Sequence, residues 1–408
     1  MAEELEGSSA MQPIASAGRS RPIVLYVVNV AWFFCLHRLH LAHAAAAAGY
    51  EVHVATAPDT PEAVRKIEKA GFHYHALPLR RGSWNPLSEA YLVRELYRLY
   101  RTLRPNLVHH VTIKPVLCGT LAARMARVPA IVNAMSGLGF VFVASGARAE
   151  LRRRSVMLAY RWLFACPSVR VIFENSDDLA LFVGGHLLRP EQARLIPGAG
   201  VDLRRFRPTP KPADETPLVV LPGRMLRIKG VEEFCAAAAI ALAAGVKARF
   251  ALVGGVDRGN PTSLSESWLL AQQQTGAVQW WGHCEDMIPV YGAAHIVCLP
   301  SYGEGLPTVL TEAAACGCAL VAANTPGCRD VIKDGETGLL VPPRDPEALA
   351  RALAQLASDA GLRARLSSSA LRKVAAEYNV QLIQSKTLEL YRELLAHNSS
   401  LEQHTTLP

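Results

Sequence analysis

The chain has 408 residues, with 43 Lys+Arg against 35 Asp+Glu and a formal net charge of +8. Half of the residues are hydrophobic and 19% are charged, which excludes a disordered chain or a coiled coil, and the length suggests two or three domains. The charge is uneven: residues 1–208 hold 26 Lys+Arg and 15 Asp+Glu, a net +11, which leaves a net −3 for residues 209–408.

A basic half invites an acidic partner. No zinc-finger spacing, basic zipper or RNP-like aromatic pattern occurs, so no nucleic acid is expected. The start, Met1-Ala2-Glu3-Glu4-Leu5-Glu6, is acidic, which is wrong for the first region of a secretory signal. The apolar stretches 31–36 and 41–49 are broken by His37, Arg38, His40 and His43, so neither reaches the ~18–20 residues of a membrane span. The expectation is a cytoplasmic protein, peripheral on the cytoplasmic face of a membrane. Nine cysteines, with no CxxC pair, read as free buried thiols.

Residues 1–20 and 398–408 carry no apolar period and read as tails. From Pro22 onward short apolar runs alternate with helical segments, the pattern of α/β layers around a parallel sheet. Strands are expected at 23–28, 52–56, 107–110, 130–133 and 169–173, and helices at 37–48, 61–70 and 87–103, giving a first Rossmann-like domain over 21–200. Residues 201–217 close a stretch with five prolines from Pro197 to Pro217 and read as a linker. A second alternation follows, with strands at 218–221, 249–253, 278–280, 296–299 and 319–322. Its helices fall at 230–244, 264–275, 287–291 and 307–316. Residues 218–378 form the second Rossmann-like domain, and a last helix is expected over 379–397. In such domains a ligand is expected in the cleft outside the carboxyl ends of the strands.

A dinucleotide oxidoreductase is excluded first. The turn after the first strand, Asn29-Val30-Ala31-Trp32, lacks the glycines that let backbone approach a pyrophosphate, and Gly137-Leu138-Gly139-Phe140 lacks the third one. There is no GxxxxGK[ST] loop either. What stands out is Pro300-Ser301-Tyr302-Gly303-Glu304-Gly305-Leu306-Pro307, which runs into a helix carrying Glu312. Pro307 suits the first turn, and the free N–H groups there favour an anion. Glu304 and Glu312 are separated by roughly 12 Å of helix rise, too far to share a proton but suited to gripping hydroxyls at opposite ends of an extended ligand. A nucleotide-diphosphate sugar is such a ligand. The complementary cations lie in Gly223-Arg224-Met225-Leu226-Arg227-Ile228-Lys229-Gly230, where Arg224 can fork onto phosphate oxygens and Lys229 adds a point charge. Taken singly, Glu304 reads equally as a helix cap and Glu312 as a solvated helix residue; the cation loop and the glycines argue against that.

These residues resemble those of the large family four of GT-B glycosyltransferases, which are retaining enzymes that use nucleotide-sugar donors. The similarity runs through the Arg224–Lys229 loop, Val253-Gly254-Gly255, the Glu304-x7-Glu312 pair, Thr325-Pro326-Gly327-Cys328-Arg329-Asp330 and Asp334-Gly335-Glu336-Thr337-Gly338. It implies a GT-B fold of two Rossmann-like domains whose parallel sheets face a central cleft, with a C-terminal helix crossing back. It implies that Arg224 and Lys229 hold the donor diphosphate, Glu304 the transferred sugar and Glu312 the ribose. Gly223, Val253, Gly254, Gly282, Met287, Gly305, Leu306 and Pro307 would complete the donor site. A UDP-linked donor is implied, with no metal or cofactor, and no Asp-x-Asp motif occurs.

The first domain resembles a subgroup that extends polyprenyl-diphosphate-linked saccharides. The similar stretches are Phe33-Phe34 with His37-Arg38-Leu39, Arg81-Gly82-Ser83-Trp84-Asn85-Pro86, His109-His110-Val111-Thr112-Ile113-Lys114-Pro115 and Ser136-Gly137-Leu138-Gly139-Phe140. His37, Arg38, His109 and Lys114 are the candidates for acceptor or phosphate contact; a His closing a strand is also a common core residue. Arg148, Arg152, Arg153, Arg154 and Arg161 share a helical segment with Leu151, Leu158 and Trp162, read either as a solvated face or as a surface that docks on anionic lipid. Three alternatives share the donor chemistry: a UDP-sugar 2-epimerase, a glycosyltransferase with a soluble acceptor, and a non-catalytic sugar-nucleotide-binding module.

Overall fold

In the computed structural model of the chain the described residues are 21–79, 85–137, 146–209 and 216–405, without the side chains of 147–149, 152 and 397–405. The expected tail at 1–20, the motif residues 81–84 and 138–140, and linker residues 210–215 lie outside them.

Two parallel sheets form. The first comprises β1 Ile23–Val30, β2 Glu51–Ala57, β3 His73–Ala76, β4 Leu107–Val111, β5 Ala130–Met135, β6 Val169–Phe173 and β7 Ala193–Leu195, in the order β3-β2-β1-β4-β5-β6-β7. The second comprises β8 Leu218–Pro222, β9 Arg249–Val253, β10 Gln279–Trp280, β11 Ile296–Leu299, β12 Ala319–Ala323 and β13 Leu339–Val341, in the order β10-β9-β8-β11-β12-β13. In both sheets the chain starts at an interior strand, builds one wing and then crosses to build the other. The order reverses at β1/β4 and at β8/β11, the two places where a doubly wound sheet opens a crevice at its strand ends. By contacts the described residues divide into two compact units, one drawn from residues 21–79, 85–133 and 388–405 and the other from residues 134–137, 146–209 and 216–387.

The near-continuous apolar runs of the second sheet follow from burial on both faces. Val219 and Leu221 of β8 enter one core with Phe250, Leu252, Ile296 and Cys298. Their neighbours Leu218 and Val220 enter the opposite core with Ala251, Val253, Val297 and Leu299. Helices Val231–Ala243 and Pro346–Ser358 cover the first of these faces, and helix Thr308–Ala315 covers the second.

The strands that the sequence reading misses, β3, β7 and β13, have three or four residues, too short to show a period, though β13 is apolar throughout. The helix expected at 37–48 runs over Leu39–Ala47, and a separate helix, Ala31–His37, precedes it across a break at Arg38. The last helix, Val380–Thr405, runs through residues expected as tail, and from Leu388 it belongs with the first unit. None of the nine cysteines is in a disulfide. No helix among the described residues is long and apolar enough to cross a membrane.

Candidate active site

The loops at the carboxyl ends of β8, β11 and β12 converge in the second unit. After β8 the chain makes a short turn, Arg227–Lys229, and Gly230 then starts helix Val231–Ala243 with a φ of 72°. A Cβ on Gly230 would lie 2.2 Å from the Pro300 carbonyl oxygen, so only glycine lets the cation loop pack on the loop after β11. The Tyr302 N–H donates to the Ile228 carbonyl at 2.9 Å and the Thr325 hydroxyl to the Ser301 carbonyl at 3.0 Å, which ties all three loops together.

This packing sets Lys229 against Glu304, with Nζ donating to Oε1 at 2.6 Å and to Oε2 at 2.8 Å. Both side chains are largely withdrawn from solvent, where a charged hydrogen bond is stronger than at the surface. Arg224 donates through Nη1 to Asp257 Oδ2 at 2.7 Å. Each cation expected to face a diphosphate is thus oriented by a carboxylate.

Pro307 is the N-cap of helix Thr308–Ala315 rather than its first residue. Glu312 lies on that helix and accepts from the Tyr291 hydroxyl at 2.9 Å. Burial lifts its carboxyl from 4.5 to about 7, partly offset by the Tyr291 hydrogen bond and the charge of Arg205. Near neutrality it is poised between its two forms.

On the other side of the sheet centre, the Gly254 N–H donates to the Gly282 carbonyl at 2.7 Å and the Trp280 indole to the Gly254 carbonyl at 2.9 Å. Val253 is buried at the end of β9, and Met287 caps helix Ile288–Ala293. Leu306 is buried in the core. Asp330 and Asp334 take structural roles, accepting the backbone N–H groups of Ser176 at 3.0 Å and Leu340 at 2.8 Å.

Two residues missed by sequence reasoning sit against the Glu304 loop. Asn175 caps helix Ser176–Gly184, accepting from the Asp178 N–H at 2.8 Å, and its amide donates to the Gly305 carbonyl at 2.9 Å. Glu174 is buried and accepts from the Ser136 hydroxyl at 3.0 Å. A Cβ on Gly305 would meet the Gly137 nitrogen at 2.6 Å and Glu174 Oε2 at 2.8 Å, so the loop leaves no room for a side chain there. The available signal was Phe173-Glu174-Asn175-Ser176 with Asp177 and Asp178 next, polar residues that close a strand and open a helix.

The first-unit candidates separate into two kinds. His109 and Arg38 are buried and close enough to interact. Burial first, then the Arg38 and His110 charges, holds the His109 imidazole well below its ordinary 6.5, so it is neutral. Its Nδ1 bonds the Tyr391 hydroxyl, and its buried Nε2 has no hydrogen-bond partner among the described residues. Lys114, by contrast, donates to Glu89 at 2.7 Å, and the His37 ring rests on Phe33 with centroids 4.4 Å apart. His110 is a satisfied core residue, bonded to Asn133 at 2.8 Å and to the Tyr100 hydroxyl at 2.9 Å.

Two doubly wound parallel sheets, each with its order reversed at an interior strand pair, have the two-domain plan of the GT-B fold. Profiles for glycosyl transferases group 1 and glycosyl transferase 4-like proteins match residues 216–359 and 23–175 respectively, and the chain belongs to the glycosyltransferase group 1 family. It is 28% identical to the N,N'-diacetylbacillosaminyl-diphospho-undecaprenol alpha-1,3-N-acetylgalactosaminyltransferase of Campylobacter jejuni, over 82% of this chain and 89% of that protein. It is 24% identical to the UDP-Gal:alpha-D-GlcNAc-diphosphoundecaprenol alpha-1,3-galactosyltransferase of Escherichia coli, over 74% and 79%. Its fold matches a glycosyltransferase from Rickettsia africae with a TM-score of 0.73 at 18% identity, over 92% of this chain and 99% of that one.

Proposed function

We propose that this glycosyltransferase moves a hexosyl or N-acetylhexosaminyl group from a UDP-sugar to a hydroxyl of a saccharide carried on polyprenyl diphosphate, with retention of configuration. The observation that carries the reading is the Lys229–Glu304 pair, with Arg224 on the same loop as Lys229, held by three interlocked loops at the carboxyl ends of adjacent strands. The names of both curated relatives place their acceptors on undecaprenyl diphosphate, and one names UDP-Gal as donor.

Arg224 and Lys229 neutralise the diphosphate as the glycosidic bond breaks, which is where negative charge grows. Glu304 orients Lys229 and accepts from sugar hydroxyls, and Glu312 accepts from the ribose. Arg38 and neutral His109 stand ready for the acceptor side. The acceptor attacks from the face that the leaving group vacates, and the departing phosphate oxygen takes the acceptor's proton, so no separate base is needed. These residues carry the charge of the transition state with no metal or cofactor.

Both relatives are named for α linkages, and an α product from an α-linked donor is retention. The exposed Leu151, Leu158 and Trp162 of helix Ala147–Phe164, with Arg154 and Arg161 beside them, provide the peripheral contact with an anionic membrane. The test is a panel of nucleotide sugars incubated with the protein and a membrane lipid extract. Label should pass to the organic phase from one UDP-sugar; transfer to water-soluble acceptors alone would reject the lipid-linked reading, and a new nucleotide sugar without transfer would indicate an epimerase.

A further inference from the structure

Strands β2 and β3 lie side by side at one edge of the first sheet, in the register His53↔His73, Val54↔Tyr74 and Ala55↔His75. Side chains alternate along a strand, so Glu51 and His53 of β2 share a face with His73 and His75 of β3. Three imidazoles and a carboxylate therefore meet on one small patch. This patch lies on the two outermost strands of that wing, whereas the order of the first sheet reverses at β1/β4.

The contacts within the patch are short. His53 Nε2 is 3.0 Å from Glu51 Oε1, and His73 Nε2 is 3.6 Å from the same oxygen. One ligand atom each from Glu51, His53 and His73 lies within 4.8 Å of the other two. In a tetrahedral site with metal–ligand bonds of about 2.0–2.1 Å, neighbouring ligand atoms are about 3.3 Å apart. The observed 3.0 and 3.6 Å bracket that spacing.

The central ligand is also held in place. His53 is buried, and its ring packs against His75 with centroids 5.2 Å apart; the His73 ring now stacks on it at 4.4 Å, and this exposed ring must turn out of the stack to aim its Nε2 lone pair at an ion shared with His53. Its other nitrogen, Nδ1, is 2.9 Å from His75 Nε2. A metal-binding imidazole characteristically gives its second N–H to such an acceptor, which orients the ring and fixes its tautomer.

We propose that Glu51, His53 and His73 bind a divalent transition-metal ion of the zinc class, with His75 as the outer partner of His53 and the fourth position left to water. Two imidazoles and one carboxylate suit zinc, whereas magnesium and calcium take oxygen ligands. The metal replaces the ring proton on His53 Nε2; that proton is then carried on Nδ1 and donated to His75 Nε2, and His75 carries its own on Nδ1. His73 stays exposed, so the ion has open access from solvent. The bound ion cross-links β2 to the edge strand β3 and adds its binding energy to the fold. None of these four residues belongs to the donor machinery, so the site is independent of the proposed transfer reaction.

The test uses the full chain, free of any affinity tag and stripped of metal, titrated with Zn²⁺ in a calorimeter. One equivalent should bind with saturation, and zinc should raise the unfolding temperature. His73→Ala, at an exposed edge position that the fold tolerates, should weaken zinc binding on the order of 100-fold, and Glu51→Gln should act similarly. His75→Ala should weaken it by about 10- to 100-fold. With Co²⁺ as probe, the visible d–d bands should appear without a thiolate charge-transfer band in the near-ultraviolet, which separates this site from the nine cysteines. Unchanged zinc affinity and stoichiometry in both His73→Ala and Glu51→Gln, or the absence of saturable binding at micromolar zinc, would overturn the proposal.

Discussion

Glu312 shows how far one residue's environment can move its chemistry. Its folded-state carboxyl, lifted to about 7, holds a proton that the unfolded chain releases near 4.5. The stability from this group is therefore complete below about pH 4.5 and is lost as pH rises through 7. Glu312→Gln cannot ionise and still accepts from Tyr291. Relative to the parent it should gain on the order of 1–3 kcal/mol between pH 5 and pH 8, read from urea unfolding at the two pH values. Ribose hydroxyls donating to the carboxylate would lower its pKa, so donor binding at pH 7 should release up to about half a proton, measured by calorimetry in buffers of different ionisation enthalpy. At the same scale, Arg224→Ala or Lys229→Ala should each lower turnover by about 100- to 1,000-fold with the fold retained; near-normal rates in both would remove them from leaving-group stabilisation.

At the scale of elements, the site depends on loops that hold one another. Asn175 does two separable things: its side-chain oxygen caps a helix, and its amide holds the Gly305 carbonyl. Asn175→Ala should cost about 2 kcal/mol, roughly half from the cap and half from the loop contact. Asn175→Ser restores a cap but is too short to reach Gly305. Thermal unfolding should therefore recover by about 1 kcal/mol in the serine variant, while the donor dissociation constant stays as high as in the alanine variant. Equal recovery of both would show that Asn175 matters only as a cap. The apolar runs of β8, β9, β11 and β12 were legible in sequence because both sheet faces are buried. Strand β3, His-Tyr-His-Ala, was not: its side chains are only partly covered, so it shows no apolar period, and the histidine cluster stayed hidden with it.

For the whole molecule, the net +11 of residues 1–208 remains unexplained by the proposed donor site, whose cations Arg224 and Lys229 are each matched by a carboxylate. Leu151, Leu158 and Trp162 are 68%, 69% and 56% exposed at positions that helical spacing brings to one side, an apolar stripe that water alone does not favour. Arg153 and Arg154 both pair with Glu150, while Arg148 and Arg152 lie outside the described side chains. The protein should co-sediment with vesicles containing anionic lipid, and less so as salt rises. Leu158→Glu with Trp162→Glu should lower the partition coefficient by at least about tenfold, since the apolar burial is lost and each added acid opposes the surface charge. Unchanged partitioning would leave the stripe as a solvated face.

The family and the two-sheet plan were determined by the sequence itself, because strand and helix periods, glycine turns and the Arg224, Lys229, Glu304 and Glu312 spacing are all local properties of the chain. Pairings across long sequence distances were decided only by the tertiary structure. Asn175 meets Gly305, Arg224 meets Asp257, Tyr291 meets Glu312 and His53 meets His73 because strand order and register place them together. A pKa near 7 at Glu312 belongs to the same class, since burial is a property of what the fold packs around a residue and not of the residue's neighbours in the chain.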